Sequence, residues 1–454
     1  MPVLSKLKTP PFDVPPAHPP IRSQVSKLWI CAGFGAMFLF RLAFGLFSNM
    51  DFEDQRQIYL IGLKYYCTGL WPFFGPDVQT NVQIPGALQG LTAGLPFTLL
   101  PIPESPFILV NILSFAALCL FGWYVSRRLP AFPRWLLWGW LFTAPWLLNV
   151  STNVYNLSYA LFGSVLFFVG FLETVPSFSL GLLPLNLCNA MMGFSFLWIA
   201  QFHMSYIILA PFMVVSIYFQ VRSNCVNPLR ILLFISLGAI PPGAFLLPTF
   251  FQYGFHHIRQ ESQAVLTFRL SNLKLFPLIL ARYLAMASET IPRFWGRNNA
   301  ERGEFLANLP WAIPFTFIAL VLGTLQPILM FLLGFRKHHP QKDWTSVRAL
   351  AFLTWILIGI SFLFTTKYPS TRGYYLTLPI IFLYAFYVFQ PLSSRPWFLR
   401  TAKLLLVCNL VFHIGVAVHN YRNDSFFSFR NSVVKAIRAK DFHLMAERRE
   451  NSHY

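Results

Sequence analysis

The sequence predicts an all-α polytopic membrane protein with about 11 transmembrane helices and additional juxtamembrane or re-entrant helices on one face. Three observations lead there. Of 454 residues, 56% are apolar and only 11% charged, far from soluble averages. The apolar residues fall in runs of membrane-spanning length. The net charge is +19, and the short connections between those runs carry many of its cations. A soluble enzyme, a disordered chain and a nucleic-acid partner are excluded, because this surplus of Lys and Arg is the pattern of loops facing anionic membrane lipids. Six cysteines without a CxxC pair indicate neither a disulfide framework nor a zinc site.

Residues 1–27 are Pro-rich with scattered cations and form a cytoplasmic amino-terminal segment. Leu28 to Phe47 is too long for a cleavable signal and reads as the first span, leading outward. Arg41 lies in its outer half, where it is expected to snorkel and takes no role. Ten further spans follow: Phe107 to Val125, Trp135 to Val150, Leu157 to Leu172, Leu180 to Ala200, Ser205 to Val221, Ile231 to Phe250, Leu309 to Phe335, Val347 to Thr365, Tyr374 to Phe389, and Thr401 to Val418. Gly86 to Pro103 is also apolar, but three glycines and three prolines interrupt it. If it stays on the outer face, Arg127, Arg128, Arg134, Arg222, Arg230, Arg336, Lys337, Lys342, Arg395, Arg400 and Lys403 all lie with the amino terminus, as the positive-inside bias requires. It is therefore an interfacial or re-entrant helix.

The transmembrane domain spans 28–418, with two large outer loops, 48–106 and 251–308; loops of that length in a compact domain are usually functional or disordered. Within the second, Leu273 to Leu284 suits an interfacial helix. The tail, 419–454, is basic and amphipathic, and either side of the membrane accommodates it. The aromatic run Phe382, Tyr384, Phe386, Tyr387 and Phe389 reads as lipid-facing or helix-packing surface.

Directly after the first span, Asp51, Glu53 and Asp54 crowd three carboxylates at the lipid boundary. Such a cluster repels itself and should face a polar cavity, a metal or a basic substrate, which leaves a divalent cation open as cofactor. A helix cap is the ordinary alternative. Gly69 to Val78, then Gln83-Ile84-Pro85-Gly86-Ala87-Leu88, then the apolar Gly86 stretch, follow in order. This arrangement resembles the GT-C superfamily of membrane glycosyltransferases, in the bacterial branch similar to protein mannosyltransferases and the lipid A aminoarabinose transferase. There an acidic residue after the first span precedes an interfacial helix, a Gly-Pro turn and a second juxtamembrane helix. Ser151 to Leu157, with Asn153 and Asn156, resembles the branch's polar second outer loop, and Gln201-Phe202-His203-Met204-Ser205 its Gln-x-His-x-Ser element. The usual Pro-Gly-Pro is Pro85-Gly86-Ala87 here, and Gln83 and Ile84 stand where the aminoarabinose transferases carry a Lys before paired prolines.

The resemblance implies a transferase in the bacterial inner membrane. It would move a sugar from a polyprenyl-phosphate donor to an envelope glycan, lipid or protein acceptor at the outer face. A carboxylate would serve as general base: Asp54 first, then Glu53 and Asp51. His203 is a candidate for the acceptor or a carboxylate, although an interfacial His bonded to backbone is the simpler reading. Outer cations would hold the leaving phosphate: Arg259, Arg282, Arg293, Arg297, Lys367 and Arg372. The last two lie in Lys367 to Tyr375, with Tyr374, which resembles the family's late loop near the lipid phosphate. A transporter or flippase would instead need midplane polar residues and internal repeats. An O-antigen ligase or polymerase would share the large outer loop but gives no reason for the acidic motif.

Overall fold

The computed structural model describes residues 27–48, 53–78, 82–223, 227–254, 268–296, 298–336, 339–365, 369–421 and 425–445. Helix α1 (Lys27–Phe47) is followed by α2 (Glu53–Thr68), a hairpin of β1 (Phe74–Val78) and β2 (Val82–Pro85), and α3 (Leu88–Leu99). The strands pair antiparallel with Phe74 opposite Pro85 and Asp77 opposite Gln83, a small β element within an otherwise helical chain. At 12 residues α3 is about 18 Å long, too short for a hydrocarbon core about 30 Å thick, so the Gly86 to Pro103 stretch does not cross. It lies instead along α2, where Gly62 and Gly94 leave no room for a Cβ between the backbones.

The eleven predicted spans are all helical, in unequal ways. Eight helical stretches are long and apolar enough to cross: Leu28–Phe47, Ser105–Arg128, Asn156–Thr174, Met204–Arg222, Pro310–Gly334, Trp344–Leu363, Thr371–Leu392 and Pro396–Tyr421. A ninth is a broken pair, Pro228–Ala244 and Leu247–Tyr253, bent by 62° just after Pro241 and Pro242, whose missing N–H groups interrupt the ladder. Leu185–Ala200 is a shorter apolar helix. The segment predicted as a continuous span from Trp135 to Val150 is two helices, Arg134–Thr143 and Pro145–Ser151, divided at Ala144 because Pro145 cannot continue the first.

Asn156–Thr174 and Thr371–Leu392 form the buried centre of the bundle, while Leu39, Val214, Leu229, Phe317 and Leu353 on the outer helices are exposed, as lipid contact requires. Phe382, Tyr384, Phe386, Tyr387 and Phe389 are all buried and are therefore packing surface. Gly193 and Gly238 let Leu185–Ala200 and Pro228–Ala244 approach backbone to backbone, a small-residue contact typical of helices in lipid.

Polar bonds sort the helix ends into two faces. At one, Arg128 pairs with Asp343 at 2.6 Å and with the Tyr124 hydroxyl, which donates to Glu173 at 2.8 Å, and the Tyr387 hydroxyl donates to Asp343. Of the loop cations predicted to share a side, Arg127 and Arg128 close the helix Ser105–Arg128 at this face, and Lys337 lies outside the described residues. At the other, Ser48 at the end of α1 donates to Asn153 at 3.0 Å, and Asn272 donates to the carbonyls of Phe362 and Thr365.

Candidate active site

The site is built on α2. Glu53 opens this helix and Asp54 follows in its first turn, where a carboxylate opposes the positive end of the helix dipole, and Gly69 closes it with φ +72° and an N–H bond to the Tyr65 carbonyl. Its inner face buries Ile58, Tyr59 and Leu63. Tyr59 fixes the helix in place: its hydroxyl donates to the Pro103 carbonyl at 2.7 Å, and its ring meets Phe97, Phe107, Phe426 and Phe429.

Two of those rings belong to the carboxyl tail, whose side the sequence leaves open. The tail helix Arg430–Ala439 buries Val433, Ala436 and Ile437 and rests on α2. Arg430 pairs with Glu104, Arg56 stands 5.7 Å from the Phe429 ring centre, and Lys440 stands 5.7 Å from that of Tyr66. The described part of the basic tail therefore lies at the end of the bundle that carries α2.

Asp54 shares its electrostatic surroundings with arginines and an aromatic wall. Tyr155, buried at the start of Asn156–Thr174, lies 5.6 Å from the Arg372 guanidinium. Burial pushes its hydroxyl up to about 12; the charges of Arg372 and Arg293 pull it down and that of Asp54 pushes it up, so all three are within electrostatic reach. Arg293 stands 5.2 Å over Trp146, the second residue of Pro145–Ser151. Desolvation lowers its pKa, and the like charges of Arg372 and Arg282 lower it further, against Tyr155 and Tyr374. Arg282, on Phe276–Met286 within the predicted interfacial segment, donates to the Pro369 carbonyl. Tyr374 is fully buried beside these cations. Three guanidiniums, two phenols and one carboxylate are thus linked by electrostatic influence in one region, a set that can bind an anion and accept a proton next to it.

Other predicted site residues are engaged in the scaffold. Asn153 accepts from Ser48 and donates to the Asn149 carbonyl at 3.1 Å. Asn156 accepts from the Leu157 N–H at 2.8 Å. His203 caps the short turn Met204–Ile208, its Nδ1 bonded to the Ser205 hydroxyl and N–H. Gln201, in the same motif, donates to the Pro242 carbonyl at 2.7 Å and so braces the broken helix. Asp51, Arg259, Arg297 and Lys367 lie outside the described residues, as does the side chain of Glu53. Among the described residues no three His, Cys, Asp or Glu side chains gather as a metal site. A cavity of about 400 Å³ opens at the opposite face, lined by Arg128, Lys342 and Asp343, away from the acidic motif.

Arg41 corrects the sequence reading. It does not snorkel: it is fully buried, and donates to the Phe142 carbonyl at 2.8 Å, the Leu147 carbonyl at 3.4 Å and the Ser151 hydroxyl at 2.6 Å. The break at Ala144 frees the Phe142 carbonyl, which lipid cannot satisfy, and the guanidinium supplies its donor. It thereby holds the short helix carrying Trp146. Pro145 was the available signal for the break, and Tyr155, absent from the predicted site, sits between two asparagines that were included.

No family model matches the chain, and no curated protein matches it. Among solved structures, the crystal structure of ArnT from Cupriavidus metallidurans bound to undecaprenyl phosphate is similar over 93% of this chain and 79% of that one. Their identity is 10% and the TM-score 0.49.

Proposed function

We propose that the protein is a membrane glycosyltransferase that transfers a sugar from a polyprenyl-phosphate donor to an acceptor hydroxyl at the face carrying α2. The observation that carries this reading is the Arg372 guanidinium 5.6 Å from the Tyr155 ring, with Asp54 and Arg293 within electrostatic reach of the same phenol and Arg282 within reach of Arg293. The acceptor is an envelope glycan, lipid or protein, and the membrane is the bacterial inner membrane; both follow the family resemblance of the motifs.

The chemistry that these residues supply is an inverting displacement. The acceptor oxygen attacks the anomeric carbon while the bond from that carbon to the phosphate oxygen breaks. Asp54 takes the acceptor proton, a role that typically contributes about 100- to 10,000-fold. The electron pair of the broken bond leaves on the polyprenyl phosphate, where guanidiniums in a partly dehydrated site oppose the growing negative charge. The Tyr155 hydroxyl, neutral at working pH, offers a further donor. Mass analysis of envelope glycans in a deletion strain, combined with transfer by the purified protein from a polyprenyl-phosphate sugar, tests the proposal. Intact glycans and no transfer by correctly inserted protein would refute it.

A further inference from the structure

A second polar group is buried deeper in the bundle. Glu289 follows Phe276–Met286 by three residues and precedes Arg293 by four. Its backbone N–H donates to Gln326 at 2.8 Å, and its carbonyl packs on Gly323, where a Cβ has no room. Asn409, wholly buried near the middle of Pro396–Tyr421, donates its amide Nδ2 to Glu289 Oε2 and to the Thr143 carbonyl. Glu289 Oε1 and Asn409 Oδ1 are both buried, and neither has a hydrogen-bond partner among the described residues.

Two acceptors left over beside a single N–H···O bond make a specific chemical pattern. An ionised carboxylate has no donor to offer Asn409 Oδ1, whereas a protonated one places a donor on Oε1, the oxygen that lacks a partner. The ion pairs among the described residues do not include Glu289. His413, one turn beyond Asn409, supplies no cation either. Its Nδ1 bonds the Asn409 carbonyl, an acceptor, and its Nε2 faces the Asn149 amide nitrogen, a donor, which defines a neutral tautomer. An isolated buried carboxylate is costly, and a neutral acid that closes a second hydrogen bond avoids that cost.

We infer that Glu289 and Asn409 form a protonated acid–amide pair that positions Arg293. The pair joins Pro396–Tyr421 to the carboxyl end of Arg134–Thr143, which leads through the break to Trp146, and to the segment that carries Arg293 over the Trp146 ring. It sets the spacing of that wall of the site, and Glu289 is a positioning residue rather than a catalytic one. The positional consequence rests on the proposed contact between Arg293 and the donor phosphate; the protonation state does not.

Two measurements on the full-length protein in lipid nanodiscs test it. Infrared difference spectra at neutral pH between wild type and Glu289→Gln should show loss of a protonated-carboxyl carbonyl band. Loss of ionised-carboxylate bands instead would overturn the pair. Binding of a polyprenyl monophosphate should be within about threefold of wild type in Glu289→Gln, whose amide keeps one donor and one acceptor. Binding should weaken about tenfold or more in Glu289→Ala and in Asn409→Leu, each of which removes the hydrogen-bonded ring. Equal weakening in Gln and Ala variants would overturn positioning by this pair. Should Glu289→Ala fail to fold, the spectrum and Glu289→Gln still decide. If wild type does not bind the probe, the donor assignment fails while the infrared result continues to judge the pair.

Discussion

Replacement of Arg372 by Gln probes the anion site with the least disturbance to the scaffold. The guanidinium is half-buried over Tyr155 at 5.6 Å, and its charge is felt by both Tyr155 and Arg293. A hydrogen bond to a charged group contributes about 1.5 to 3 kcal/mol. One effect works against the loss: without Arg372, Arg293 is relieved of the larger of the like charges acting on it and is free to move closer to the anion. The lower half of the range then applies, and at 1.4 kcal/mol per decade the donor Kd should rise about 10- to 40-fold. Arg372→Lys keeps the charge but not the planar fork, so its loss should be smaller. The assay is equilibrium binding of a polyprenyl phosphate to reconstituted protein, alongside kcat/KM for transfer. An unchanged Kd in a correctly inserted Arg372→Gln variant would refute the assignment. So would equal weakening toward an uncharged polyprenol, because the contact would then not be to phosphate.

Asp54→Asn should retain expression and donor binding and lose at least about 100-fold in transfer, since Asn preserves a helix cap but accepts no proton; full activity would pass the base role to Glu53 or Asp51. Tyr155→Phe should cost about 0.5 to 1.5 kcal/mol of phosphate binding, measured as Kd. Its hydroxyl sits at about 12, above its ordinary value of 10.0, so its contribution to stability is complete below pH 10 and fades only as pH rises through 12. Transfer should accordingly show no pH limb from this group in the neutral range. Arg41→Leu should destabilise by about 1 to 3 kcal/mol for each buried acceptor stripped of its donor, read in thermal unfolding with and without donor. Reporters fused after Met445 should fall on the same side as those near Asn153 and Arg282, opposite those at Arg128 and Arg230; a tail on the Arg128 side would contradict its packing on α2.

The spans were legible because lipid imposes one rule on every residue of a crossing helix, and a window of apolar residues records it. The helix breaks at Ala144 and after Pro242 were less legible because hydropathy is continuous across both, and only the prolines mark them. Arg41 was misread for a related reason: its cost in lipid depends on acceptors that exist only once Arg134–Thr143 and Pro145–Ser151 part. Among site residues, the acidic motif and outer arginines were visible as charges with no use in lipid. Asn153, Asn156 and His203 have polar side chains that bond nearby backbone, a use that composition does not separate from ligand binding. The tail offered cations that argue for one side and a span count that argues for the other. The Tyr59 aromatic cluster, the Arg430 to Glu104 pair and the contacts of the tail helix with α2 decide between them.

The balance of charge bears on catalysis itself. Among the described side chains, the site sets three guanidiniums, Arg282, Arg293 and Arg372, against the single carboxylate of Asp54, a surplus of two positive charges. In the proposed reaction the donor is a phosphodiester with about one negative charge, whereas the leaving polyprenyl phosphate is a monoester that approaches two. The site is therefore closer in charge to the departing group than to the bound donor. Since only interactions that strengthen on the way to the transition state accelerate the chemical step, this surplus favours cleavage over mere retention of substrate. The advantage requires that the arginines be held apart against their mutual repulsion, which a flexible loop could not do. Arg293 is anchored through the Glu289 segment, Arg282 through its helix and the Pro369 carbonyl, and Arg372 at the head of a largely buried central helix. The buried polar bonds behind the site are in this sense part of its electrostatics: they keep like charges in place before the negative charge that they stabilise has formed.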